Sequence, residues 1–178
     1  MTTYISLLRG INVSGQKKIK MADLKKLYES LGFADVQTYI QSGNVVFKYT
    51  KTDTKQLARK ITDRIRKTYS FKVPVEIRTK DDFDKIIANN QFNAKDQSKL
   101  HVMFLAEKPQ NPPIAEIEKM KDKSEEFFIA GREIYLSTPN GYGKSKISNT
   151  FFEKKLGVSA TTRNWKTVNA LFDMVKAI

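Results

Sequence analysis

Three short stretches of this chain concentrate glycines, polar side chains and cations, two where helices are expected to begin and one in a loop after a strand, and that combination is suited to holding an anion. The first is Thr138–Ser145, TPNGYGKS. Gly141 and Gly143 allow backbone N–H groups to face outward at a helix start beside Lys144 and Ser145, a seat for phosphate or carboxylate. An ordinary glycine turn with Ser145 as the helix cap is the plainer alternative. The second is Thr161–Asn164, where Thr162 or Asn164 can cap the last helix and Arg163 adds a forked cation beside free N–H groups. The third runs from Arg9 through Asn12 to Gly15, with Lys17 and Lys18 behind it, a loop able to wrap a polyanion or simply to stand in solvent.

The GKS ending of the first stretch has the form of a Walker A loop, but Thr138 replaces its first glycine. The strand before it reads as the second arm of an antiparallel hairpin, and no apolar run ends in an Asp that could hold Mg²⁺. A nucleoside triphosphatase is therefore not expected. Trp165 falls three residues before Val168 and six before Leu171, on an apolar helix face, and reads as core. His101 alternates with Leu100 and Val102 in a strand and has no nameable catalytic partner.

The elements that must position these residues follow from spacing. Tyr4–Arg9 is a first strand closed by Gly10. Met21, Leu24, Leu27, Tyr28 and Leu31 mark a helix ended by Gly32. Val36–Ile40 and Val45–Tyr49 are strands joined at Gln41-Ser42-Gly43-Asn44, which supplies hairpin turn chemistry. Asp53 caps a helix carrying Leu57, Ile61 and Ile65 to about Tyr69, and Val73–Arg78 is a fourth strand. Thr79 and Asp82 are spaced as a capping box for a connecting helix, Asp81–Asn89.

The same order then recurs: strand Leu100–Ala106, helix Ile114–Lys121, hairpin strands Glu126–Ala130 and Glu133–Ser137 around Gly131-Arg132, a helix from Ser145 to Leu156, a short strand Ala160–Thr162 and a final helix. Strand-helix-strand-strand-helix-strand is the ferredoxin-like plan. The expected fold is therefore α+β, with two βαββαβ subdomains at residues 1–80 and 81–178 and antiparallel sheets covered by helices. Val45, Phe47 and Tyr49 share one face of a strand, but SGNVVFKY lacks the basic-Gly-aromatic-Gly start of an RNA-binding aromatic ladder.

Composition bounds the chemistry. The 178 residues carry 32 basic and 19 acidic side chains, a net charge of +13. The pI near 9.8 attracts anions. Met1–Lys20 holds four cations and no acid, and Gly141–Lys166 six cations against Glu153 alone. The absence of cysteine removes disulfides, thiolate metal sites and cysteine nucleophiles. No metal or cofactor is called for. No run approaches the roughly 18 apolar residues of a membrane helix, and Met1–Gly10 lacks the marks of a leader, so a cytoplasmic protein without a membrane partner is expected.

LLRGINVSG at Leu7–Gly15, TYIQSGNVVF at Thr38–Phe47, GYGKSK at Gly141–Lys146 and ATTRNWKTV at Ala160–Val168 together resemble a bacterial family known as domain of unknown function 1697. Ser14 stands where that family more often has glycine. The resemblance implies two ferredoxin-like subdomains and no established activity. Its signature residues here are Arg9, Gly10, Asn12, Ser42, Gly43, Asn44, Gly141, Gly143, Ser145, Thr162, Arg163, Asn164 and Trp165, mostly polar or glycine and in loops.

Three functions stay open. One is an anion-binding module for phosphate-bearing partners such as nucleic acid, using Arg9, Asn12, Lys17, Ser42, Asn44, Gly143, Lys144, Ser145, Arg163 and Asn164. Another is an enzyme on a small phosphorylated or carboxylated substrate, with Arg9, Lys144 and Arg163 holding the anion and Ser42 or Ser145 near the chemistry. The third is a structural or oligomerisation module. The sharpest expectation is geometric. A helix of about eleven residues from Ser145 carries the chain about 17 Å away, and a strand of about 3.3 Å per residue returns it. Lys144, Ser145 and Arg163 are then expected to share one solvent-open anion seat.

Overall fold

The computed structural model describes all 178 residues. The chain forms two compact units, Met1–Lys85 with Leu171–Ile178, and Ile86–Ala170. The expected division at residue 80 thus differs at the C-terminus, where the last residues of the final helix return to the first unit.

The first unit runs β1 (Thr2–Leu8), α1 (Met21–Ser30), β2 (Ala34–Tyr39), β3 (Asn44–Tyr49), α2 (Thr54–Tyr69) and β4 (Val75–Thr79). Its sheet has the order β2-β3-β1-β4, antiparallel throughout. Alternation along β1 and β3 sends Tyr4, Leu8, Val45 and Phe47 into one core with Leu24, Leu27 and Tyr28 of α1 and Leu57, Ile61 and Ile65 of α2. Phe33 stacks on Phe47 at 4.4 Å and Tyr28 meets Phe47 edge-on at 5.5 Å. The aromatic face of β3 is therefore packed beneath helices, which removes it as a stacking platform for bases. Asp53 accepts the N–H groups of Lys55 and Gln56 to start α2, and Ser70, left-handed at φ 62, ends it.

A reciprocal capping box opens α3 (Lys80–Ala88): the Asp82 carboxylate accepts the Thr79 N–H at 2.8 Å, and the Thr79 hydroxyl accepts the Asp82 N–H at 3.2 Å. The second unit follows with β5 (Leu100–Leu105), α4 (Ile114–Met120), β6 (Glu126–Ala130), β7 (Glu133–Ser137), α5 (Asn149–Leu156) and β8 (Ala160–Asn164), then α6 (Trp165–Ala177). Its sheet order, β6-β7-β5-β8, repeats that of the first unit. Met103, Leu105, Ile134, Leu136 and Ala160 pack against Ile117 of α4 and Phe152 of α5. Both units are thus βαββαβ sandwiches, as the element order implies.

Candidate functional site

In the first unit the RGIN and QSGN segments meet at one end of the sheet. Asn12, left-handed at φ 55, donates its side-chain amide to the carbonyls of Ile19 at 2.9 Å and Gln41 at 2.8 Å, and its oxygen accepts the Ile19 N–H at 2.8 Å. Asn44 is fully buried and donates to the Tyr39 carbonyl and the Ser42 hydroxyl, each at 2.9 Å. Gly43 has φ +85, and a Cβ there would lie 2.7 Å from Leu8 Cβ and 2.8 Å from Ile11 Cδ1. Arg9, half-buried at the end of β1, ties its own N–H to the Pro74 carbonyl at 3.0 Å. Asn12, Ser42 and Asn44 do come together, but the polar groups of Asn12 and Asn44 are engaged with the protein's own backbone and Ser42. They form a joint fixing the β1–α1 loop to the β2–β3 turn.

In the second unit three expectations need correction. First, α5 opens at Asn149 and not at Ser145: the Ser148 hydroxyl accepts the Phe151 N–H as cap, and Tyr142–Lys144 is a single tight 3₁₀ turn. Between the turn and the helix the chain bends at Lys146 and Ile147, and the Ile147 side chain is buried there. Second, three of the loop's N–H groups are used inside it, Gly141 to the Thr138 carbonyl, Lys144 to Gly141 and Ser145 to Tyr142. The Ser145 hydroxyl donates to the buried Glu125 carboxylate. Asp122 and Glu125 line the depression of about 380 Å³ that also holds Lys144. An acidic lining of this kind disfavours an anion.

Third, Arg163 does not join Lys144 and Ser145. The strand returns to the expected end of the sheet, with Ser137 of β7 opposite Leu100 and Arg163 of β8 opposite Val102. The loop meets Thr162, however, through a 3.2 Å hydrogen bond from the Tyr142 hydroxyl. Successive strand side chains point to opposite faces, so Arg163 lies on the other face. There it is buried, donating to the Thr161 hydroxyl and the Thr162 carbonyl, both at 3.0 Å, and burial pushes its pKa down to about 10. Asn164 is the cap of α6, accepting the Thr167 N–H at 2.8 Å. Gly143 is exposed, and a Cβ added there would meet nothing within 4 Å.

Around Thr162 a polar cluster stands instead. The Thr162 hydroxyl donates to the Asn149 side-chain oxygen at 2.8 Å, and the Tyr142 hydroxyl accepts the Asn149 N–H at 2.9 Å. Tyr142 stacks on His101 at 4.6 Å. The His101 Nδ1 is buried without a hydrogen-bond partner, and desolvation lowers the imidazole pKa below its ordinary 6.5. On unfolding, the ring regains its ordinary basicity, so the unfolded chain binds the extra proton. Stability should therefore be fully present above about pH 6.5 and fall as pH drops through that value, by up to about 1.4 kcal/mol per pH unit. Urea titrations from pH 7 to below 6 should show this loss, most of it below pH 6.5, and His101→Phe, which keeps a ring against Tyr142, should flatten it.

A cationic face that the sequence reading passed over lies on α2. Apolar Leu57, Ile61 and Ile65 recur every four residues and turn inward, leaving the cations of the same helix outward. Arg59, Thr62, Asp63 and Arg66 of α2, with Lys72 beyond it, line a depression of about 330 Å³. Lys17 is brought alongside by its ammonium, which donates to the Lys72 carbonyl at 2.8 Å. The facing acid, Asp63, reaches Arg66 at 3.6 Å, but both are more than 60 % exposed and that pairing is weak. Residues 51–72 hold eight basic side chains against two acidic ones, which was the available signal. The first unit carries nineteen basic against ten acidic side chains, the second thirteen against nine, so the charge excess belongs mainly to the first.

Residues 1–135 match the family described as "Protein of unknown function (DUF1697)". The chain belongs to that family. No curated protein matches it. Among solved structures it is similar to the conserved bacterial protein SP0830 from Streptococcus pneumoniae, at 25% identity over 98% of both chains and a TM-score of 0.75. The match to the DUF1697 family takes in RGIN and QSGN and stops before GYGKSK and TTRNW. Within the matched span, the side chains of Asn12 and Asn44 and the close approach at Gly43 are accounted for by the loop joint without a ligand. No helix is long and apolar enough to cross a membrane.

Proposed function

We propose that the protein binds phosphate-bearing polyanions, nucleic acid foremost, through the cationic face of its first unit. The observation that carries this reading is the grouping of Arg59, Arg66 and Lys72 around one depression, with Lys17 held beside Lys72. Two guanidinium forks and two ammonium groups suit successive phosphates along a strand, where each neutralised phosphate releases condensed counterions. The open form of the depression suits a backbone tracked along a surface rather than an enclosed small substrate. The enzyme reading has less support in the second unit, where Arg163 is buried against Thr161 and Thr162 and the Ser145 hydroxyl is engaged by Glu125.

With about three phosphates engaged on duplex DNA, the logarithm of affinity should fall against the logarithm of salt with a slope near −2.7, about a 40-fold loss between 50 and 200 mM. Fluorescence anisotropy with labelled DNA and RNA oligonucleotides reads this directly. Absence of binding at low salt, or binding indifferent to salt, overturns the proposal.

A further inference from the structure

The edge strand β6 is built to be paired. In the first sheet the edge strand β2 is blunted by a register shift between Ala34 and Gln37 and by the charged pair of Asp35 and Lys48. β6, Glu126-Phe-Phe-Ile-Ala130, is less guarded: its register with β7 is unbroken, it holds neither proline nor lysine, and its one charge, Glu126, stands at the strand's first residue and pairs with Lys95. Phe127 to Ala130 are all only half-buried. Beside the strand lies a mainly apolar groove of about 540 Å³, lined by Pro109, Pro112, Ile114, Phe127, Phe128 and Ile129 together with Lys108 and Glu118.

We propose that β6 pairs antiparallel with β6 of a second copy of this chain, closing the two edges into one continuous eight-stranded sheet across a two-fold axis at Phe128. The register follows from parity. Ala130 and Glu133 flank the two-residue turn Gly131-Arg132 and form the closing hydrogen-bonded pair of the hairpin. Alternation then directs the backbone groups of Phe128 to β7 and those of Phe127 and Ile129 outward, unpaired. A two-fold axis at Phe128 sets Phe127 of each copy opposite Ile129 of the other, so the outward groups satisfy one another. The same register sets each Glu126 against Ala130, and no like charges face each other. On the groove side, each copy's Phe127 and Ile129 extend the apolar surface that the other leaves uncovered. A patch of one chain that is complementary to itself in this way closes as an isologous dimer.

Sedimentation velocity over a concentration series, at salt high enough to suppress charge effects, tests this. The mass should double as concentration rises. Ile129→Pro removes an outward N–H that the monomer does not use, so it should weaken the dimer at least tenfold with an unchanged far-UV circular dichroism spectrum. Because the chain has no cysteine, Phe128→Cys should form an intermolecular disulfide on mild oxidation, and Met120→Cys, exposed outside the strand, should not. A chain that stays monomeric throughout, a dimer insensitive to Ile129→Pro, or a monomer that binds only an unrelated extended peptide at β6 overturns the proposal.

Discussion

Gly43→Ala should destabilise the protein by about 2–5 kcal/mol, the largest effect expected of any single methyl group added to this chain. Two costs combine. A left-handed φ costs an L-residue about 1–2 kcal/mol, and φ at Gly43 is +85. The new Cβ also lands within 3 Å of Leu8 Cβ and Ile11 Cδ1, where neither the β1 backbone nor the buried Ile11 can withdraw freely. Overpacking of this kind adds about 1–3 kcal/mol. Gly10→Ala is the control: its φ is +72, but nothing lies within 4 Å, so it should show the backbone cost alone. Urea unfolding followed by circular dichroism separates the two. Equal effects would mean that the approach of the turn to β1 is not what requires glycine. Polyanion binding by folded Gly43→Ala should persist through Arg59, Arg66 and Lys72, with any loss confined to the contribution of Lys17, which lies on the loop that the joint fixes.

The second large effect is expected on binding. Reversing three charges, Arg59→Glu, Arg66→Glu and Lys72→Glu together, should reduce polyanion affinity to the detection limit, and single neutral substitutions should each lower the salt slope by about one unit. All three residues are exposed, so each should change stability by no more than about 0.5 kcal/mol. Lys144→Ala and Arg163→Met should leave binding as it is. Arg163→Met should instead cost about 1–2 kcal/mol of stability, through the hydrogen bonds to Thr161 and Thr162 that it loses. If the second-unit variants abolish binding and the α2 variants do not, the cationic face has been assigned to the wrong unit.

The element order was legible because its signals are local. Leu57, Ile61 and Ile65 mark an amphipathic helix, Asp53 and the Thr79–Asp82 pair mark helix starts, and Gly131-Arg132 marks a two-residue hairpin, and each stands where its local chemistry places it. The candidate site was less legible because it depends on parity and tertiary contact. Ser145 and Ser148 are both competent caps, and in the fold the Ser145 hydroxyl is engaged by Glu125 across the sequence while Ser148 caps the helix. The strand return was placed at the right end of the sheet, but a one-residue step on β8 exchanges Arg163 for Thr162 and moves the guanidinium to the other face. Asn12 and Asn44 have the side chains of ligand-binding residues, and their true partners, Gln41 and Tyr39, lie across a loop that has no periodicity. The cations of α2 read as a solvated helix face until Lys72 and Lys17 are folded against them.

The most direct measurement is amide chemical-shift mapping during titration of the ¹⁵N-labelled protein with a short oligonucleotide at low salt. Binding through the first unit predicts the largest shifts at Lys17, Arg59, Thr62, Arg66 and Lys72, diminishing as salt is raised, with Gly141–Ser145 and Arg163 unmoved. Shifts confined to Gly141–Ser145 and Thr161–Asn164, or none at any salt concentration, would contradict it.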